Sequence, residues 1–277
     1  MKTCSLLVVV FLFFLLFSCT QRSKKSALSE GDAMDQSEYY SEQQTVDENF
    51  RIPSPMELFV FMEKSETPFI KEALSNPNRH SEFVSQKSKA LNLGVYSADL
   101  AYCSVYGNIQ ETIVYFNTAK ILATELGLHE GYGAEMAMRI DDNLNNIDSL
   151  NDITTESFNE ANLFLDEQGL SDIQGLMIAG GWIEGLYLAL KSVSADDLNN
   201  PVIERIADQQ VLLDNLLKYL NRYSENSNVL EVISQLDELQ EVYDQLYYND
   251  ENTRITKEQY VAIANKVAVL RDSMIIN

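Results

Sequence analysis

Histidine is almost missing from this chain: His80 and His129 are the only two in 277 residues. Zinc sites and His-activated nucleophiles are built from that residue, so both are poorly supplied, and no metal site is expected. Cysteine is nearly as scarce. Cys4 and Cys19 fall in an N-terminal segment, which leaves Cys103 alone in the body. A lone body cysteine excludes an internal disulfide framework and reads as a small buried apolar side chain. Basic residues are outnumbered, with 20 Lys plus Arg against 42 Asp plus Glu and a formal charge of -22. That surface repels nucleic acid and anionic headgroups and favours a cationic partner. No segment alternates apolar and polar residues over strand length, so sheet structure is not expected. No cofactor-binding pattern stands out, and none is assigned.

What is present begins with a leader. Lys2 precedes an apolar run over residues 6–17, followed by Ser18-Cys19. A short positive start, about a dozen apolar residues and a small residue at the cut make a secretory signal, too short to span a bilayer comfortably. Leu16-Phe17-Ser18-Cys19 resembles the bacterial lipobox, with Phe17 an unusual occupant of its slot. The resemblance implies lipid on the Cys19 sulfur, cleavage before Cys19, and firm attachment to a membrane through several acyl chains. No Asp follows Cys19, and no acidic export stretch follows either. The expected location is therefore the outer membrane, facing the periplasm. Residues 26–49 are polar and poor in aliphatics, as a disordered tether would be. The expected division is a signal peptide over 1–18, the lipidated cysteine and tether over 19–50, and a folded domain over 51–277.

Two stretches organise that domain. From Ile173 to Leu190 the only charged residue is Glu184, and Gly181, Gly185 and Ala189 recur every fourth position. From Ala90 to Gln110 the only charge is Asp99, and Ala90, Gly94 and Ala98 keep the same spacing. A four-residue period puts small residues on one helix face, and a helix apolar all round belongs in the centre of a protein. The two helices are expected to cross closely, with Gly181 and Gly185 facing Gly94 and Ala98.

Around them the sequence spells further helices. Ser54-Pro55-Met56-Glu57 is a capping box, and so is Thr256-Lys257-Glu258-Gln259. Expected helices run over about 81–106, from Asn108 to a stop at Gly127, over 133–150, over 155–167 with a stop at Gly169, and on from a cap at Ser171, a start at Pro201 and a cap at Ser227. The fold class is all-α, an antiparallel bundle of about eight to ten helices. Aligning Gly94-Val95-Tyr96 with Gly180-Gly181-Trp182 suggests two weakly similar halves. Asp141-x-Asn143-x-Asn145 mimics a calcium loop, but Asn146 replaces the turn glycine and Asp152 the bidentate Glu; the same residues continue the helix face Met136, Ile140, Leu144, Ile147.

Asp99 and Glu184 are the candidate site. A carboxylate on an apolar helix is costly unless paired or hydrogen-bonded. Tyr96 and Tyr102 near one, and Trp182 and Tyr187 near the other, are candidate pocket aromatics. Two readings stay open. The acids line a cleft for a cation, amine or sugar, even acting as the paired acids of an envelope hydrolase. Otherwise they form a buried structural pair. The stretches Leu91-Asn92-Leu93-Gly94-Val95-Tyr96-x-x-Asp99-Leu100-x-Tyr102 and Gly180-Gly181-Trp182-Ile183-Glu184-Gly185-Leu186-Tyr187 resemble a group of uncharacterised helical lipoproteins of Bacteroidota. That resemblance implies an envelope location and a helical body, and it carries no activity over to Asp99 or Glu184. The expected function is a lipid-anchored, non-enzymatic protein that binds an envelope protein or a small ligand. The alternatives are a hydrolase using both acids and a structural accessory subunit.

Overall fold

The computed structural model describes residues 55–129, 131–251 and 253–276. Cys19, the leader, the tether and the cap at Ser54 lie outside them. The described residues form nine α-helices and no strand. They are α1 (Pro55–Lys64), α2 (Gln86–Val105), α3 (Ile109–Glu125), α4 (Ala134–Asp142), α5 (Ile147–Glu167), α6 (Ser171–Ser192), α7 (Pro201–Asn221), α8 (Ser227–Tyr243) and α9 (Lys257–Ile276). Short 3-10 turns occupy Lys71–Ala73, Pro77–Glu82 and Asp244–Tyr248. The chain is an all-α multi-helix bundle.

Helices α2 and α6 share the largest contact in the bundle. Length and composition would let α6 cross a membrane, but 94% of its apolar window is buried inside the protein. Glycine decides how closely the two helices approach. A Cβ on Gly94 would lie 1.9 Å from the Met177 carbonyl oxygen, and one on Gly180 would lie 2.0 Å from that of Leu91. Gly181 packs on the Gly94 backbone more loosely, its notional Cβ 3.2 Å from the Gly94 oxygen. Backbone meets backbone here, and any side chain would force the helices apart. Gly185 departs from the expected crossing. Its nearest neighbours are Pro55 and Phe59 of α1, with a Cβ 2.9 Å from the Pro55 Cβ, and not Ala98. One face of α6 therefore serves two neighbours, because helix crossings diverge within a turn or two of closest approach.

Leu91 meets Gly180 while Asp99 meets Glu184, so α2 and α6 run in the same sense. The cause is α5, which runs back along the pair. Asn151 near its start bonds Ser104 at the end of α2, and the Asn162 carbonyl bonds Gln174 at the start of α6. Helix α6 then begins again at the level where α2 began. Its later neighbours are antiparallel. Gly175 packs on Leu220 and Trp182 bonds Gln209 in α7, while Tyr260 and Arg271 of α9 meet Leu190 and Glu184.

Several helix ends differ from expectation. The helix expected from about Ser81 starts at Gln86, because the Ser85 hydroxyl accepts from the Ser88 amide and caps it there. The helix expected over 133–150 breaks after Asp142, and α5 runs unbroken through 150–155. Asn146 accepts from the Ser149 amide and starts α5, so the asparagine-rich stretch 143–146 makes the turn. The expected apolar face is thereby split: Met136 and Ile140 are buried, while Ile147 is 47% exposed. Asn108 sits at the N-cap of α3 without a side-chain bond to it. Leu170 and Asn226, not Ser171 and Ser227, hold the cap positions of α6 and α8. The capping box of α9 forms as spelled: the Thr256 amide donates to Gln259 Oε1 (2.9 Å), and the Gln259 amide to Thr256 Oγ1 (3.2 Å). Gly127 and Gly169 end their helices at φ of 80° and 69°, a region that glycine enters without steric cost.

Candidate functional site

The chain between α1 and α2 folds as a strap over the crossing, and four tyrosines hold it. Tyr106 and Thr67 share a hydrogen bond of 2.7 Å. Tyr102 accepts from the Ile70 amide (3.0 Å), Tyr96 donates to the Asn76 carbonyl (2.8 Å), and Tyr115 of α3 donates to the Ser75 carbonyl (2.6 Å). Phe69 stacks on Tyr102 with ring centroids 4.9 Å apart. Ser75 is thereby set directly above the two acids.

Asp99 and Glu184 do come together, both at 0% exposure. Arg271 from α9 joins them. Its Nε donates to Glu184 Oε2 at 2.6 Å and its Nη2 to Glu184 Oε1 at 2.9 Å, a two-pronged ion pair. The same Nη2 reaches Ser75 Oγ (2.9 Å) and the Ala73 carbonyl (3.1 Å). Ser75 donates its amide to Asp99 Oδ2 (3.2 Å) and its hydroxyl to Glu184 Oε1 (3.4 Å). The ring of Tyr187 lies 4.1 Å under the guanidinium, a cation–π contact that covers its outer face.

Two carboxyls share one guanidinium, so full ionisation would leave an uncompensated negative charge in the core. The geometry puts the proton on Asp99. Arg271 grips Glu184 directly, whereas Asp99 has one amide donor on Oδ2 and none on Oδ1. Burial, first, and then the charge of Glu184 push the Asp99 carboxyl well above the usual carboxylate range. Attraction to Arg271 and the Ser75 amide oppose that rise without cancelling it. A protonated Asp99 can donate to the neighbouring Glu184, and the proton makes the network neutral. Burial alone would lower Arg271, but the charge and hydrogen bonds of Glu184 outweigh it, and its pKa lies above the ordinary value.

The candidate aromatics divide. Tyr96 and Tyr102 are buried and pin the strap, and Tyr187 covers Arg271. Trp182 faces away from the acids, and its Nε1 donates to Gln209 in α7 at 2.9 Å. Tyr96, Tyr102 and Trp182 are buried and Tyr187 half-buried, all engaged in packing contacts among the described residues. Surface clefts of 310–520 Å³ formed by described residues lie elsewhere, and none of these is lined by Asp99, Glu184 or Arg271. Cys103 is buried, and burial pushes its thiol far above the range in which a thiolate forms. The described residues hold no cluster of three or more His, Cys, Asp or Glu side chains suited to a metal ion.

Sequence reasoning missed three members of the network. Arg271 was legible in principle: it interrupts the apolar stripe Ile263, Val267, Leu270, Met274 on α9, where a cation needs a partner. Tyr115 and Ser75 left no such mark, since their roles depend on the path of the strap. Searches against family models, curated proteins and solved structures found no match for this chain.

Proposed function

We propose that this chain is a lipid-anchored protein of the cell envelope, attached through Cys19, whose helical body binds a partner without catalysing a reaction. The lipobox-like Leu16-Phe17-Ser18-Cys19 and the polar tether behind it support the anchor and an outer-membrane, periplasm-facing position. The observation that favours binding over catalysis is the enclosure of Asp99 and Glu184. Paired acids that hydrolyse a glycoside must flank a groove, one of them beside an attacking water or sugar carbon. These two have 0% exposure and are occupied by Arg271 and Ser75. A structural network of this kind fixes the relation of α2, α6 and α9, and leaves the surface for recognition.

Two experiments test the proposal. Changing Cys19 to Ala should abolish labelling by palmitate and leave an uncleaved precursor; continued labelling would remove the anchor. The native protein, extracted from envelopes in mild detergent, should bring down a specific envelope protein identified by mass spectrometry. Turnover of glycoside or ester substrates that is lost in Glu184→Gln would instead establish the hydrolase.

A further inference from the structure

The strap between α1 and α2 is joined to the body by side chains. Over residues 68–84 its backbone–backbone bonds close on the strap itself, as from Ala73 to Ile70, Leu74 to Lys71, Arg79 to Asn76 and Phe83 to His80. Its bonds to the helices beneath are made by side chains of those helices: Tyr96, Tyr102, Tyr115, Asp99, Glu184 and Arg271 among them. Apolar anchorage is thin. Between Thr67 and Phe83 only Ala73 and Ser75 are buried, while Phe69, Ile70 and Leu74 are half-buried. A segment held by polar contacts over little buried apolar surface opens at lower free energy than the helices below it.

The floor of the strap makes that opening depend on a proton. The Ser75 amide, the Ser75 hydroxyl and the Ala73 carbonyl end on Asp99, Glu184 and Arg271. Glu184 and Arg271 cancel each other's charge, and Asp99 has no second guanidinium. Asp99 Oδ1 is sealed from solvent without a hydrogen-bond partner, and Oδ2 has the single Ser75 amide. An ionised Asp99 under the closed strap is therefore a poorly solvated charge, and water reaches it only when the strap lifts. The other titratable groups acting on Asp99 are Tyr96, Tyr102 and Cys103 of α2 and Tyr115 of α3. Burial raises all four, so they stay neutral near pH 7. On the strap, Arg79 pairs with Glu82, Lys71 with Glu111 of α3, and Glu72 is exposed. His80 is the strap's one histidine.

We propose that the strap is a proton-gated lid, shut over a protonated Asp99 and lifting when that carboxyl ionises. The sign follows from hydration. The lifted state takes Asp99 in its ionised form, so rising pH favours lifting and acidification favours closure. Lifting also releases the hydroxyls of Tyr96, Tyr102 and Tyr115, so a polar floor closed at low pH becomes accessible at higher pH.

The test is native-state hydrogen exchange of the purified full-length chain from pH 5 to pH 8, corrected for the intrinsic pH dependence of amide exchange. The informative amides are Ile70 and Ser75, which donate to Tyr102 and Asp99, read against Val95 and Leu100 in the middle of α2. The two strap amides should be less protected than the α2 amides at every pH. Their protection should fall as pH rises, by up to about ten-fold per pH unit, the limit for release of one proton. Asp99→Asn should make that profile flat. His80→Asn removes the strap's one side chain of a type that titrates in this range, and should leave the fall in place. If Asp99→Asn does not fold, the parent and His80→Asn profiles decide. Strap amides as protected as the centre of α2 would overturn the lid, since the strap would then open only with the whole protein. So would a flat profile in the parent, a fall that survives Asp99→Asn, or one that vanishes in His80→Asn.

Discussion

Two arginine–carboxylate pairs in this protein have nearly the same geometry and very different surroundings. Arg139 of α4 grips Glu156 of α5 through bonds of 2.8 and 2.6 Å; Arg271 grips Glu184 through bonds of 2.6 and 2.9 Å. The first pair is 37% and 43% exposed, the second 9% and 0%. At the surface, water competes for both partners and little stability depends on the contact, although the hydrogen bonds and charge of Arg139 still lower the Glu156 carboxyl. In the core neither partner can return to water, so each becomes obligatory to the other. Contact geometry alone does not rank these pairs; burial does.

The largest expected effect comes from breaking the buried pair. Arg271→Met should cost about 3–5 kcal/mol in urea unfolding, because it strands Glu184 and frees the Ser75 hydroxyl and Ala73 carbonyl. Adding Glu184→Leu to it should restore much of that loss, since an apolar replacement of the whole pair removes the desolvation cost as well. A single Arg271→Met protein as stable as the parent would mean that water already reaches the site. Next is Gly94→Ala, which sets a methyl 1.9 Å from backbone that belongs to α6. It should cost about 1–3 kcal/mol or more through overpacking, read in the same melts. The smallest effect is expected of Arg139→Ala, at most about 1 kcal/mol and smaller still at high salt. A loss equal to that of Arg271→Met would erase the contrast between the two pairs.

The helical class and the central pair were legible in the sequence, because each leaves a periodic or compositional mark; the two acids stood out as lone charges, but their meeting did not follow from the pattern. Lone charges at Asp99 and Glu184 in apolar helices, with small residues every fourth position, describe a close crossing at the centre. The close backbone contact of Gly94 follows from that pattern. The turning of Gly185 toward Pro55 does not, since the spacing gives a face and not the neighbour that occupies it. The turn at residues 143–146 was hidden for a related reason. Met136, Ile140, Leu144 and Ile147 keep helical spacing across a break made by asparagine capping. The enclosure of the acids depends on Ser75 and Tyr115, separated from each other by forty residues of chain and brought together by a strap without regular periodicity. Such a segment is defined by what it covers, and one-dimensional pattern carries little of that.

The most direct test of a sealed, neutral network is the pH dependence of stability in Asp99→Asn against the parent. Asparagine keeps the shape of a protonated aspartic acid and can still donate to Glu184. A carboxyl whose folded pKa lies above its unfolded value contributes its full stability below the unfolded pKa. It loses that contribution as pH rises toward the folded pKa, because the unfolded chain ionises first. Parent stability should therefore fall relative to Asp99→Asn from about pH 4 upward, by about 1.4 kcal/mol per pH unit, until Asp99 itself ionises in the folded protein. Urea melts at intervals upward from pH 4 should show the variant gaining on the parent until Asp99 ionises in the folded protein. A pH-independent difference, or a variant that loses ground as pH rises, would show Asp99 ionised in the folded state and would contradict the closed core.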